Sequence, residues 1–203
     1  MLEVAFVLGN GESRKDIIIE NLKKHGKVYA CNAVYRTDQP DVLVAVDPKM
    51  MLEIATTEYM EHNVVWSNFN NQYKNNERIM KHAQFFQPSL GWSSGPTALK
   101  YATTFKPKEV YILGFDYHGH SEQQRKRFNN VFKDTPNYKR SNEEATFFGN
   151  WMNQTKRVLK DNQDIQFYRV IPEGWFAPKD LEWQGNLTHI NIDAFNSKFP
   201  VYK

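Results

Sequence analysis

The stretch Val4-Ala5-Phe6-Val7-Leu8-Gly9-Asn10-Gly11-Glu12-Ser13 constrains the fold more than any other part of the chain. An apolar run of strand length enters Gly-x-Gly, then a cap-type serine, then a helix-compatible stretch over 14–25. Glycines let a chain turn tightly and bring main-chain N–H groups close to a partner that a Cβ would hold off. A helix starting behind such a loop points its positive end at the same place. The loop therefore suits a phosphate, a carboxylate or a nucleotide edge. Ser13 is the expected N-cap, Asp16 imitates a capping box and Gly26 closes the helix.

Further strand-length runs follow at 27–32, 41–47, 64–66, 85–86, 109–114 and 165–171. Between them lie helix-compatible segments. Asp47-Pro48 has the cap-then-proline order of a helix start. Ser93-Ser94-Gly95-Pro96 precedes Ala98, Leu99, Tyr101, Ala102 and Phe105 at helical spacing. The longest helical candidate spans 142–159. Residues 121–140 read as a polar insert and 172–203 as an irregular, aromatic C-terminal segment. Alternating strands and helices predict a Rossmann-like, doubly wound α/β fold with a mainly parallel sheet, built as a single domain over 1–203. In such sheets ligands sit at the carboxyl ends of the strands, where strand order switches. The predicted strand ends deliver Asn10, Asn32, Asp47, Ser67 and Asp116.

Composition narrows the function classes. With 26 Lys+Arg against 23 Asp+Glu, the net charge of +3 does not mark a nucleic-acid protein. A lone cysteine, Cys31, excludes an internal disulfide framework and fits a reducing cytosol, so a cytoplasmic location is expected. No apolar run reaches membrane-spanning length. Arg125, Lys126, Arg127, Lys133, Lys139 and Arg140, interleaved with Phe128, Phe132 and Tyr138, suggest a basic lid over an anionic ligand; a nucleic-acid patch or a solvated loop fits the same residues. The aromatic C-terminal segment leaves open its own core or a second subunit as its partner.

Several motifs carry chemistry. Gly9-Asn10-Gly11 is an incomplete dinucleotide fingerprint, because Arg14 stands at the third glycine and the second strand ends in Cys31-Asn32 without an acid. Ser93-Ser94-Gly95 offers two hydroxyls and bare backbone at a helix start, either an anion cradle or a plain cap. Asp116 could bind a hydroxyl, accept a proton or cap a turn. His118 and His120 flank Gly119 directly after it and are candidate general bases. A divalent metal needs convergent carboxylates, which nothing in the sequence establishes, so no metal is predicted.

Read together, strand-Gly-Asn-Gly-x-Ser, Cys31-Asn32, Ser93-Ser94-Gly95 and the strand ending Gly114-Phe115-Asp116-Tyr117 resemble the bacterial single-domain Rossmann-like sialyltransferases and related Rossmann-like proteins. The resemblance spans about 2–159. It implies a nucleotide-sugar-dependent glycosyltransferase moving a sugar from a cytidine donor to an acceptor hydroxyl. It further implies that Gly9, Asn10, Gly11 and Asn32 contact the nucleotide, that Ser93, Ser94 and Gly95 hold the donor's sugar or phosphate, and that Asp116 and Tyr117 lie on the nucleotide side. No cofactor beyond the nucleotide sugar is implied. The family's catalytic histidine follows its lid, and 135–151 contains none, which leaves His118 or His120 as the base. Two other readings share this sheet: a pyrophosphokinase-like enzyme using Mg²⁺ on Asp47 and Asp116, and a non-catalytic nucleotide- or nucleic-acid-binding protein.

Overall fold

A computed structural model describes residues 3–117 and 127–200. The first apolar run forms β1 (Val4–Leu8), whose residues from Ala5 onward are buried. It pairs in parallel with β2 (Lys27–Cys31) on one side and β6 (Glu109–Leu113) on the other. The sheet continues outward through β3 (Val42–Val44), β4 (Val65–Ser67) and β5 (Gln84–Phe85) on the β2 side. Beyond β6 lie β7 (Gln166–Ile171) and β8 (Leu187–Asn191). The order is β5-β4-β3-β2-β1-β6-β7-β8, and every pairing between these strands is parallel. Strand order therefore reverses between β1 and β6, which opens a crevice at their carboxyl ends.

Side-chain alternation splits the core in two. Phe6, Leu8, Val28, Ala30 and Leu43 face one cluster, into which pack α1 (Ile19–Leu22), α2 (Pro48–Ile54), α3 (Tyr59–His62), α4 (Glu77–His82) and α8 (Ile192–Lys198). Ala5, Val7, Tyr29, Val44 and Ile112 face the other, covered by α5 (Ser94–Thr103), α6 (Gly149–Asp161) and α7 (Lys179–Glu182). Helices cover both faces, as a parallel sheet with buried strands requires. Each large apolar side chain so buried contributes about 1.5–3 kcal/mol, and the sheet centre is where they concentrate.

Four expectations about local structure are corrected. The helix expected over 14–25 is replaced by a 3-10 turn, Glu12–Arg14, and the four-residue α1. Ser13 does not cap a helix, because its N–H and hydroxyl both donate to Asp116. The helix expected over 142–159 begins at Gly149. Its expected first turns instead pair with the insert: Phe128 N donates to Glu143 O at 3.1 Å and Arg127 bridges Glu144 antiparallel. The C-terminal segment from 172 is not irregular: it supplies α7, β8 and α8. β8 is a half-exposed edge strand with a weak apolar pattern, so pairing with β7 makes it a strand more than its own residues do. Asn191 then caps α8, accepting from Ala194 N at 2.7 Å, and Phe195 and Phe199 pack on Phe6 and Tyr111.

Candidate functional site

At the β1/β6 crevice the chain encloses a partly open cavity of about 150 Å³. Gly9, Asn10, Gly11, Asn32, Ser93, Ser94, Gly95, Asp116 and Tyr117 all line it, so residues more than one hundred positions apart in sequence meet at one place. Cys31, Pro96, Gly114, Phe115, Phe128, Asn129, Asn130 and Trp151 complete the lining. His118 and His120 lie outside the described residues, as do Arg125 and Lys126.

The Gly9-Asn10-Gly11 loop differs from the expected open cradle. Gly9 N and Gly11 N donate to Leu113 O and Gly114 O at 2.8 and 2.9 Å, extending the β1/β6 pairing past the strand ends. A Cβ on Gly11 would lie 2.3 Å from the Asp116 carboxyl carbon and 2.7 Å from Gly114 O, so its glycine admits the protein's own carboxylate. Asp116 Oδ2 accepts from Ser13 N at 2.9 Å and Oδ1 from the Ser13 hydroxyl. Burial raises the Asp116 pKa from its ordinary value, against the Ser13 hydrogen bonds and the charge of Arg169, which lower it. The anion that this loop holds is thus a side chain.

Asn10 is likewise engaged. Its Oδ1 accepts from Arg14 Nη2 at 2.8 Å and its Nδ2 donates to Cys31 O at 3.1 Å. Arg14, which displaced the third glycine of the fingerprint, is 5% exposed and also donates through Nε to Gly9 O at 2.5 Å. Arg169 on β7 is 1% exposed, donates to Phe115 O at 2.8 Å and lies 4.9 Å from the Tyr117 ring centre. Burial lowers both guanidinium pKa values, and the charge of Asp116 among others counters it. Guanidinium groups stay protonated in proteins, so two buried cations lie near one buried carboxyl, and their charge opposes the effect of its burial without outweighing it. Neither arginine was singled out as functional from the sequence. The charge within the otherwise apolar Phe167-Tyr168-Arg169-Val170-Ile171 was the available signal.

The opposite wall is less occupied. Ser93 is the N-cap of the ten-residue α5, yet its side chain makes no capping hydrogen bond, and Pro96 follows within the first turn. Ser94 Oγ accepts from Val46 N at 3.0 Å, which leaves its proton to donate. Gly95 has only the Phe115 ring near its missing Cβ, at 3.2 Å. Asn32 has a left-handed backbone, φ 55°, and its Oδ1 is buried without a hydrogen-bond partner. Tyr117, next to the cleft floor, shares that backbone region at φ 55°. Such conformations cost on the order of 1–3 kcal/mol and concentrate at functional sites. Burial pushes the Cys31 thiol up to about 12, against the charge of Arg14, which disfavours the thiolate form.

Residues 127–140 of the insert pack over the Gly9–Glu12 loop. Val131 N donates to Asn10 O at 2.8 Å, and Glu12 N donates to Asn129 Oδ1 at 2.8 Å. Farther along, Arg36 donates to Thr135 Oγ1 at 2.7 Å and Pro136 O at 2.8 Å, and Glu53 accepts from Arg36, Tyr35 and Asn137. The expected basic lining is not what the described residues provide. Lys133 pairs with Glu12, Lys139 donates to Glu144 O at 3.1 Å, and the insert meets the cleft through Phe128, Asn129 and Asn130. Asp47 caps α2, accepting from Lys49 N at 2.8 Å, and is not among the cleft residues. Among the described residues no three His, Cys, Asp or Glu side chains cluster as metal ligands, and no helix is long and apolar enough to cross a membrane.

An eight-stranded parallel sheet with its cleft at the strand switch places the chain in the Rossmann-like α/β class. Within that class it is similar in fold to the sialyltransferase CstII from Campylobacter jejuni in complex with cytidine-5'-monophosphate, with a TM-score of 0.52 and 18% identity over 89% of this chain and 86% of the other. A single-substitution variant of CST-II in complex with CMP matches with a TM-score of 0.51 and 17% identity over 85% of this chain and 82% of that one. No protein-family profile matches the sequence, and no curated protein matches it.

Proposed function

We propose that the cleft binds the cytidine nucleotide of a nucleotide sugar and that the protein transfers the sugar to an acceptor hydroxyl, in the manner of a sialyltransferase. The observation that carries this is the meeting of the Gly9–Gly11 loop, Asn32 and the uncapped N-terminus of α5 on one cavity, with Asn32 Oδ1 buried and unpartnered among the described residues. A buried acceptor without a donor is unfavourable by about 1–3 kcal/mol until a ligand supplies one, and an amino or hydroxyl group of a nucleoside does so. The N-terminus of α5 and the Ser94 proton suit the phosphate. The resemblance of the cleft motifs to those of bacterial sialyltransferases, and the CMP bound by the structural neighbours, support cytidine over other bases.

In the reaction, Asn32 and the Gly9-Asn10-Gly11 wall orient the nucleotide, with Asp116 and Tyr117 behind it. Ser93, Ser94 and Gly95 hold the phosphate and stabilise negative charge as the sugar departs. His118 or His120, one and three positions after Tyr117 in the chain, takes the proton of the acceptor hydroxyl. The nucleotide sugar is the co-substrate, and no metal takes part.

A thermal-shift panel of CMP, UMP, GMP and AMP, each with and without Mg²⁺, tests this. CMP at one hundred times its Kd is expected to add about 2.7 kcal/mol, with no need for Mg²⁺. Asn32→Ala is expected to remove that response, and the double variant His118→Ala, His120→Ala to keep it while losing transfer from a cytidine donor. Indifference to CMP overturns the reading; a Mg²⁺-dependent AMP response favours a nucleotide-transforming enzyme instead.

A further inference from the structure

Arg169 on β7 and His189 on β8 stand side by side across the parallel pairing of the two strands. The buried Arg169 guanidinium reaches three segments. Its Nε donates to Phe115 O at 2.8 Å, and its Nη1 donates to Phe176 O at 2.9 Å and meets His189 Nδ1 at 3.4 Å. Its Nη2 is buried without a hydrogen-bond partner among the described residues. His189 Nε2 lies 3.4 Å from Pro178 O. A neutral imidazole has one donor nitrogen and one acceptor. Arg169 can only donate and a carbonyl can only accept, so the proton belongs on Nε2 and the Arg169 bond on Nδ1. The pair thereby ties the 172–178 segment to β7 and β8. Arg169 also holds the floor of the cleft. Phe115, Asp116 and Tyr117 line the cavity; Phe115 O takes the Nε bond, and the Tyr117 ring centre lies 4.9 Å from Cζ.

We infer that His189 is a positioning residue for the cleft: neutral, it steadies Arg169 against Phe115, and protonated, it gives up that hold and loosens the cleft floor. The inference goes beyond the sugar-transfer reading, because it concerns the floor whichever ligand the cleft takes. A second proton turns Nδ1 into a donor and sets two cations face to face. Arg169 cannot relieve the conflict by losing its own proton, so one of its bonds must give. Burial, and then the charge of Arg169, hold the His189 pKa below its ordinary value, against the Pro178 carbonyl and the charge of Glu182, which raise it. The other charges around the ring are placed as follows. Asp116 acts on Arg169 from the cleft side. On α7, Asp180 pairs with Lys156 of α6 at 3.3 Å and Lys179 is exposed, as is Glu173 in the 172–178 segment. On the opposite face of the sheet α8 carries Asp193 and Lys198, and Lys198 pairs with Glu109 at 2.7 Å. Arg169 is thus the charge set directly against the imidazole, and a histidine is the side chain whose charge changes near neutral pH.

The test is NMR on the full chain across the histidine range of pH, following the His189 ring and the Ser13 N–H, which donates to Asp116 and so reports the floor. In the parent, part of the Ser13 shift is expected to follow the His189 midpoint, below about 6.5. His189→Gln keeps an acceptor for Arg169 and a donor for Pro178 O but does not titrate, and that part of the shift is expected to vanish. His189→Leu offers no acceptor, and its Ser13 signal is expected near the acid position of the parent even in mild alkali. Asp116, His118 and His120 are present in all three proteins, so their own titrations cancel in the comparison. Thermal unfolding checks that both variants are folded. A Ser13 signal that ignores His189, or that titrates unchanged in His189→Gln, means that the imidazole swings out alone, and the inference is overturned. CMP affinity supplies the second readout. The CMP phosphate titrates alike with parent and variant, so the parent is expected to lose about fivefold more affinity on acidification than His189→Gln; equal losses overturn the inference. A floor that follows His189 in a protein indifferent to CMP sinks the nucleotide reading and leaves this one standing. CMP binding over a floor that ignores His189 does the reverse.

Discussion

Two short loops, Gly9-Asn10-Gly11 and Ser93-Ser94-Gly95, look alike as sequence and face the same cavity, yet the fold uses them in opposite ways. In the first, the glycine N–H groups go to Leu113 O and Gly114 O, Ser13 N just behind them goes to Asp116, and the Asn10 amide is divided between Arg14 and Cys31. In the second, a ten-residue helix begins with its N-cap side chain making no capping bond. Glycine at a strand end therefore reports close approach, and the approaching group is as readily the protein's own carboxylate as a ligand. An uncapped helix start is the better sign of a vacancy for an anion, because its N–H groups have no intrahelical acceptor.

Glycine-to-alanine substitutions break this comparison most sharply. Gly11→Ala forces a Cβ to within 2.3 Å of the Asp116 carboxyl and 2.7 Å of Gly114 O, against backbone that has no free rotation. A loss of about 3 kcal/mol is expected in urea unfolding, whereas Gly95→Ala meets a ring edge at 3.2 Å and is expected to stay within about 1 kcal/mol of the parent. Equal losses would show that both loops are packing devices. A smaller effect sharpens the other half. Ser93→Asp supplies the missing cap and a charge that suits the helix dipole, so stability is expected to rise by about 0.5–1 kcal/mol. The same carboxylate occupies the anion position, and CMP affinity is expected to fall about tenfold by calorimetry. Stability and affinity rising together would place the phosphate elsewhere.

The smallest effect concerns the roof of the first loop. Burial would raise the pKa of Glu53, but hydrogen bonds from Tyr35, Arg36 and Asn137 outweigh it and bring the pKa below its ordinary value. A carboxyl with a depressed folded pKa stabilises the fold above its unfolded pKa, near 4.3, and that contribution is lost as pH falls below about 4. Glu53→Gln is expected to lose about 0.5–1 kcal/mol at pH 7 and to flatten the acid limb of the stability curve, as thermal unfolding between pH 3 and 7 would show. An unchanged acid limb would mean that the Arg36–Glu53 pair does not tie the insert to the sheet.

The parallel α/β architecture was readable because buried strands are apolar on both faces and their flanking caps and glycines are local. The cleft was readable for the same reason: its motifs end strands, and a parallel sheet gathers the ends of neighbouring strands on one edge. Tertiary structure decided the rest. Ser13 looks like a cap in isolation, but Asp116, distant in sequence, outcompetes the helix for its donors. Asn10 and Asn32 are the same residue type at the ends of adjacent strands; Arg14 engages the oxygen of one, and the oxygen of the other has no hydrogen-bond partner among the described residues. β8 has too few apolar residues to announce itself and exists because β7 offers an open edge. Local preference sets which segments become strands, helices and turns; which polar groups remain for a ligand depends on partners brought in from elsewhere in the chain.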